Sequence, residues 1–209
     1  MTASDTAPED SFTVPPLSFD FQWENRPAHW QLHPDGSLSI TADPATDLFV
    51  DPAGGSSIHN APSALCTPTD REFLVQARVT ATLTSTFDAG SLQIRVEENV
   101  WAKLCLEYSP QRQARVVSVV TRDVSDDCNS DVIDDDGVYL RIARTTRTCA
   151  FHYSRDGRFW HLVRYFTLGE PNHVRIGFSS QSPQGAGCTA TFSEITYVPS
   201  SLDDIRNGM

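Results

Sequence analysis

The chain has 209 residues, a length that suits one large all-β domain better than two small ones. Hydrophobic residues make up 39% and charged residues 21%, the balance of a globular protein with a real core. A formal net charge of −11 excludes the basic footprint that nucleic acid or an anionic membrane surface requires, and no apolar run reaches the roughly 18 residues of a membrane span.

In chain order, Met1 to about Pro16 is acidic and Pro-rich, with no basic n-region and no apolar h-region. It reads as a disordered leader and not as a secretory signal. Residues 17–199 read as a single β-sandwich domain, and residues 200–209 as a short polar tail. Within the domain, HPDG at His33–Gly36 introduces the alternating run Ser37–Ala42. Glu72–Leu83 alternates Phe73, Val75, Ala77, Val79 and Ala81 against polar partners. Strands are then expected at Ser91–Glu97, Val100–Tyr108, Ala114–Thr121, Gly137–Arg144, Cys149–Ser154, Arg158–Thr167, Val174–Ser179 and Gly187–Val198. SRDG at Ser154–Gly157 marks a hairpin, because Asp-Gly supplies the positive φ of a tight turn. No stretch sustains a 3.6-residue period, so long helices are not expected.

Five cysteines (Cys66, Cys105, Cys128, Cys149 and Cys188) are widely spaced, with no CxxC pair. Free buried thiols in a reducing cytoplasm are expected, and a zinc site is not. The segment Asp123–Asp136 carries seven acidic residues but fails the calcium-loop pattern, with Val132 where a Gly belongs and Val138 where a bidentate Glu belongs. It reads as a mobile, lid-like acidic loop beside the site. His29 and His33 are followed by Pro34 outside any HExxH frame, and His152 and His161 are expected to meet across the SRDG hairpin. No P-loop, GxGxxG or GxSxG is present, so neither a metal nor a cofactor is expected.

Strand parity defines a candidate site. Leu92, Ile94 and Val96 share one face and Gln93, Arg95 and Glu97 the other. In the next run Ala102, Leu104 and Leu106 oppose Trp101, Lys103, Cys105 and Glu107, and Leu140 and Ile142 alternate with Tyr139 and Arg141. The plain alternative is that this polar face is the solvated side of an antiparallel sheet. Opposite charges beside the aromatics Trp101 and Tyr139 fit a sugar-binding groove equally well. Cys105, flanked by Lys103 and Glu107, is expected to be buried and inert.

A set of motifs runs in one order: WENRPAHW (Trp23–Trp30), TDLF (Thr46–Phe49), FDAGSLQIRVEENVWAKLCLEYS (Phe87–Ser109), SVVTRDVSD (Ser118–Asp126), YSRDGRFWHLVRYF (Tyr153–Phe166) and GFSSQSP (Gly177–Pro183). This succession, from about Phe19 to Tyr197, resembles the DUF1349 family of concanavalin A-like lectin/glucanase proteins, which includes a yeast protein linked to enolase regulation. The resemblance implies a jelly-roll sandwich of two antiparallel sheets, one of them concave, and no general activity. The family pattern commonly has a Trp soon after the Ser-Asp of the VVT segment, whereas here Asp127 and Cys128 follow Asp126. Motif position and parity together nominate Asp47, Asp88, Gln93, Arg95, Trp101, Lys103, Glu107 and Arg164, with Tyr139 and Arg141 from parity alone. Asp47 and Asp88 are also suited to a structural turn role.

Three functions stay open. The first is binding of a glycan or other polar small molecule, with Trp101 or Tyr139 stacking and Gln93, Arg95, Lys103, Arg141 and Glu107 hydrogen bonding. The second is an enzyme, a glycosidase or a lyase, isomerase or cyclase, using Glu107 with Lys103 or Arg95 as acid, base or charge stabiliser. A glycosidase needs a second carboxyl, for which Glu97 and Asp88 are the options, and the glucanase E-x-D-x-x-E signature is missing. The third is a protein-interaction module like the enolase-linked relative. Nothing in the sequence sets an oligomeric state.

Overall fold

The computed structural model describes residues 11–209, all of them in strands, turns and loops. Period-two alternation builds the long strands, because successive side chains of an extended chain leave on opposite faces. The first strands are short: Ser11–Thr13 (β1), Asp20–Glu24 (β2), His29–Leu32 (β3) and Leu38–Ala42 (β4). Leu48–Val50 (β5) and Ser57–His59 (β6) form a small separate hairpin, and Ser63–Cys66 (β7) follows. Longer strands come next at Phe73–Ala81 (β8), Ala89–Glu97 (β9), Val100–Tyr108 (β10), Ala114–Arg122 (β11) and Val124–Val132 (β12). The last five are Val138–Arg144 (β13), Cys149–Ser154 (β14), His161–Phe166 (β15), Arg175–Gln181 (β16) and Cys188–Val198 (β17).

Two large antiparallel sheets result. The first runs β1-β2-β7-β16-β9-β10-β11-β12 and the second β15-β14-β13-β8-β17-β4-β3. Their inner faces meet in one core. Leu92 and Ile94, Leu104 and Leu106, and Ile176 and Phe178 from the first sheet pack with Phe73, Val75, Leu140, Ile142 and Phe192 from the second. Phe178 and Phe192 meet across the two sheets with ring centroids 4.9 Å apart. Each such side chain contributes about 1.5–3 kcal/mol on burial. The expected all-β jelly-roll sandwich is therefore the observed one. Gly157 has φ 73 in the turn after β14, as the SRDG reading requires.

Several local expectations change. The acidic segment after Asp123 is not a mobile loop: it forms β12, the edge strand beside β11. Its order comes from partners distant in sequence, since Arg164 Nη2 donates to Asp126 Oδ1 (2.7 Å), Tyr153 donates to Asp131, and Arg155 pairs with Asp135 (3.2 Å). Residues 1–10 of the expected leader lie outside the described residues, but its last part, Ser11–Thr13, pairs with β2. Phe12 anchors it, 5.2 Å from the Trp23 ring and 4.7 Å from that of Trp30. The tail folds back on the second sheet, where the Gly208 carbonyl accepts from Arg141 (2.6 Å) and the Ile205 carbonyl is bonded to His152 Nε2 (2.8 Å). His152 and His161 do not pair, for His161 stacks on Tyr153 at 4.8 Å. Four cysteines are buried and free, as expected, whereas Cys128 is exposed on β12.

Candidate functional site

The site lies on the outer face of the first sheet. Gln93, Lys103 and Val119 stand in one cross-strand row, and Arg95, Trp101 and Thr121 in another. Such a face would ordinarily be solvated. Here it is covered by the segment 43–62 that carries β5 and β6. Leu48 and Ala61 from this arm bury themselves against Trp101 and Val119, with Phe49 packed alongside. The arm is pinned by polar contacts. The Val50 amide donates to Ser125 Oγ (3.0 Å), Asn60 Oδ1 accepts from the Asp47 amide (2.8 Å), and Asn25 Nδ2 donates to the His59 carbonyl (2.8 Å). That cover explains why Lys103 is only 1% exposed.

Between arm and sheet lies a cavity of about 150 Å³, lined by Asp47, Phe49, Phe87, Lys103, Glu107, Val117, Val119, Asp127 and Gln181. Lys103 Nζ donates to Gln181 Oε1 at 2.6 Å and lies 3.6 Å from Asp47 Oδ1. Gln181 Nε2 in turn donates to the Phe87 carbonyl at 3.1 Å. Phe87 has φ 69, a conformation a bulky residue adopts only where its surroundings enforce it. The enforcing group is its neighbour Asp88, fully buried, which accepts from the Ser85 amide (2.7 Å), the Thr84 amide (3.1 Å) and Ser182 Oγ (2.7 Å). A buried carboxylate thus fixes the loop, the loop fixes Gln181, and Gln181 orients Lys103.

Glu107 is different. It is 8% exposed and makes no hydrogen bond or ion pair with the described residues. Burial pushes its carboxyl up to about 7; Lys103 pulls the other way, and Asp47 and Asp127 add to the rise. A carboxyl that titrates near neutrality can give or take a proton at physiological pH. Cys105, one turn of the pleat away, is fully buried, and burial pushes its thiol up to about 12, so it stays protonated.

The structure brings Asp47, Lys103 and Glu107 together in the cavity and puts the other expected residues elsewhere. Trp101 is buried beneath Leu48, so it cannot stack on a ligand, although its Nε1 has no hydrogen-bond partner in the described residues. Gln93 and Arg95 bond each other (2.8 Å), and Arg95 also reaches Ser63 (3.1 Å) and pairs with Glu24. Asp88 takes the turn role. Tyr139 and Arg141 belong to the second sheet, not to the face that carries Lys103. The Tyr139 hydroxyl donates to Glu194 (2.9 Å), and the Arg141 guanidinium lies 3.9 Å from the centre of the Trp160 ring, under the tail. Arg164 joins the sheet edges through Asp126 and lines no part of the cavity. Conversely, Phe49, Phe87, Gln181 and Asp127 line it without having been singled out. Three of them stand inside the TDLF, FDAG and GFSSQSP motifs; Asp127 was hidden in a segment read as loop. Among the described residues no group of three or more His, Cys, Asp or Glu side chains is placed to hold a metal ion.

Comparison with known proteins agrees with this architecture. Residues 23–200 match the family described as "Protein of unknown function (DUF1349)". Regulation of enolase protein 1 of Saccharomyces cerevisiae is 25% identical over 174 residues, covering 82% of this chain and 86% of its own. A solved structure of a functionally unknown protein from Saccharomyces cerevisiae superposes with a TM-score of 0.79 at 23% identity, over 87% of this chain and 97% of that one. A GH43 protein from Bacillus licheniformis superposes with a TM-score of 0.68 at 16% identity, over 87% of this chain but only 36% of its own length. The likeness to that larger chain is one of fold alone.

Proposed function

The chain belongs to the DUF1349 family, and we propose that its cavity under the 43–62 arm binds a polar small molecule about the size of one sugar ring. The observation that carries this reading is Glu107: a nearly buried carboxyl group without a protein partner, opening into a cavity beside Lys103 and Gln181. A carboxyl that faces a cavity without a protein hydrogen bond is free to accept from another molecule that enters it. A cavity of about 150 Å³ matches a single ring and is smaller than the usual drug-sized pocket. Its walls suit a carbohydrate unit, with Phe49 and Phe87 for an apolar ring face and Glu107, Asp127 and Lys103 for hydroxyl groups. A glycan array followed by calorimetry with mono- and oligosaccharides tests the proposal. Saturable binding, weakened about tenfold or more by Lys103→Met, is the expected result. No binding of any member at millimolar concentration sinks it.

A second reading is an enzyme at the same place. Its support is the Glu107 carboxyl poised at about 7, with Lys103 near enough to stabilise developing negative charge. Asp47 and Asp127 are the further carboxylates of the cavity; Glu97 and Asp88 do not line it. A Glu107→Gln variant that keeps full turnover of whatever substrate is found would remove this residue from the chemistry. A protein-interaction or regulatory role has the likeness to Regulation of enolase protein 1 as its support.

A further inference from the structure

The charges around the cavity are unequal. Asp47, Glu107 and Asp127 face one lysine, so the ionised cavity carries three negative charges against one positive. Lys103 is moreover already engaged, held by Gln181 at 2.6 Å and by Asp47 at 3.6 Å. Around Glu107, Lys103 and Cys105 come from its own strand, Asp47 from the arm, Asp127 from β12 and Arg115 from β11. Arg115 is directed to Gln113 Oε1 and the Ser130 carbonyl, both at 3.0 Å, and the Cys105 thiol is neutral. Glu107 is therefore left with the longer-range attraction of Lys103 and no cation bonded to it directly.

We propose that the occupant of this cavity carries a compact ammonium group, placed against the Glu107 carboxylate with Asp127 at the rim and the faces of Phe49 and Phe87 beside it. The proposal rests on the binding reading above and narrows its ligand class to a single-ring amine. An ionised carboxylate that is largely buried is costly until a cation meets it. A weakly hydrated organic ammonium meets it with a charge-assisted hydrogen bond and is also attracted by aromatic faces. A neutral sugar can donate to the carboxylate but brings no positive charge to it, and an anion meets two further carboxylates. The net charge of −11 on the chain draws cations toward the mouth. Because Glu107 titrates near 7, a cation that binds its ionised form must displace the proton, and binding becomes proton-linked.

Calorimetry on the full chain with cyclohexylammonium and cyclohexanol isolates the charge, since the two probes share ring size and differ only in the group presented. The expected result is that the amine binds about tenfold or more tightly than the alcohol near pH 8. The preference shrinks near pH 5, and near pH 7 binding releases about half a proton to the buffer. Glucosamine against glucose, in a parallel arm near pH 7 where its amino group is still mostly protonated, tells an amino sugar from a plain alicyclic amine. Glu107→Gln is expected to abolish the preference and the proton release. Asp127→Asn, on the exposed edge strand, is expected to reduce the preference and serves if the first variant does not fold. Equal binding of amine and alcohol, or a preference that persists in Glu107→Gln, overturns the inference and leaves the binding reading standing. Failure of all four probes at millimolar concentration overturns both.

Discussion

At Glu107 the protein keeps a carboxyl group in a place that favours its neutral form. Its folded value of about 7 lies above the ordinary 4.5, so between these two pH values the folded chain holds a proton that the unfolded chain has released. Stability attributable to this group therefore falls as pH rises through that window, by about 1.4 kcal/mol per unit, and levels off above it. A Glu107→Gln variant removes the titration while keeping the shape. Denaturant unfolding should show the variant more stable than the natural chain near pH 8, by up to about 3 kcal/mol, with the difference vanishing near pH 4. A variant no more stable at the higher pH contradicts the burial argument. This residue was legible in the sequence from parity, because Glu107 shares a face with Lys103 across one strand. Its partners were not. Gln181 and Phe49 come from distant segments whose motifs carry them without any local pattern that says where they meet.

At the scale of elements, alternation revealed the long core strands and the edge strand β15, and missed the edges β1, β3 and β12. β8, β9, β10 and β13 announce themselves because one face of each is apolar and buried. β12 does not, since it is polar along most of its length and exposed. Acidic side chains on such an edge also discourage pairing with another chain. Parity has a second blind spot: it tells which residues share a face of one strand, but not which sheet that strand joins. Arg141 alternates as Lys103 does, yet it stands on the outer face of the other sheet, in register with His152 and roofed by the tail. Burial there pushes the His152 imidazole down to about 4, from an ordinary 6.5. Deleting residues 204–209 uncovers it, so an NMR titration should find its value raised toward the ordinary one. An unchanged low value would mean that the tail does not shield it.

At the scale of the whole molecule, the sandwich supplies a rigid wall and the arm over it makes the site. The cavity is not between the two sheets, where Leu, Ile, Val and Phe fill the space. It is on the outer face of one sheet, enclosed because a segment with Asp47, Leu48 and Phe49 is tied down over polar strands. That arrangement separates stability from recognition: the core holds the fold, and substitutions in the arm or on the outer face change what is bound. The most direct measurement of this account is an NMR titration of isotopically labelled protein with single-ring sugars and amines. It predicts saturable shifts centred on Asp47, Phe49, Phe87, Lys103, Glu107 and Gln181. Shifts centred instead on Arg141, His152 and Trp160 beneath the tail, or no shifts at millimolar ligand, would contradict it.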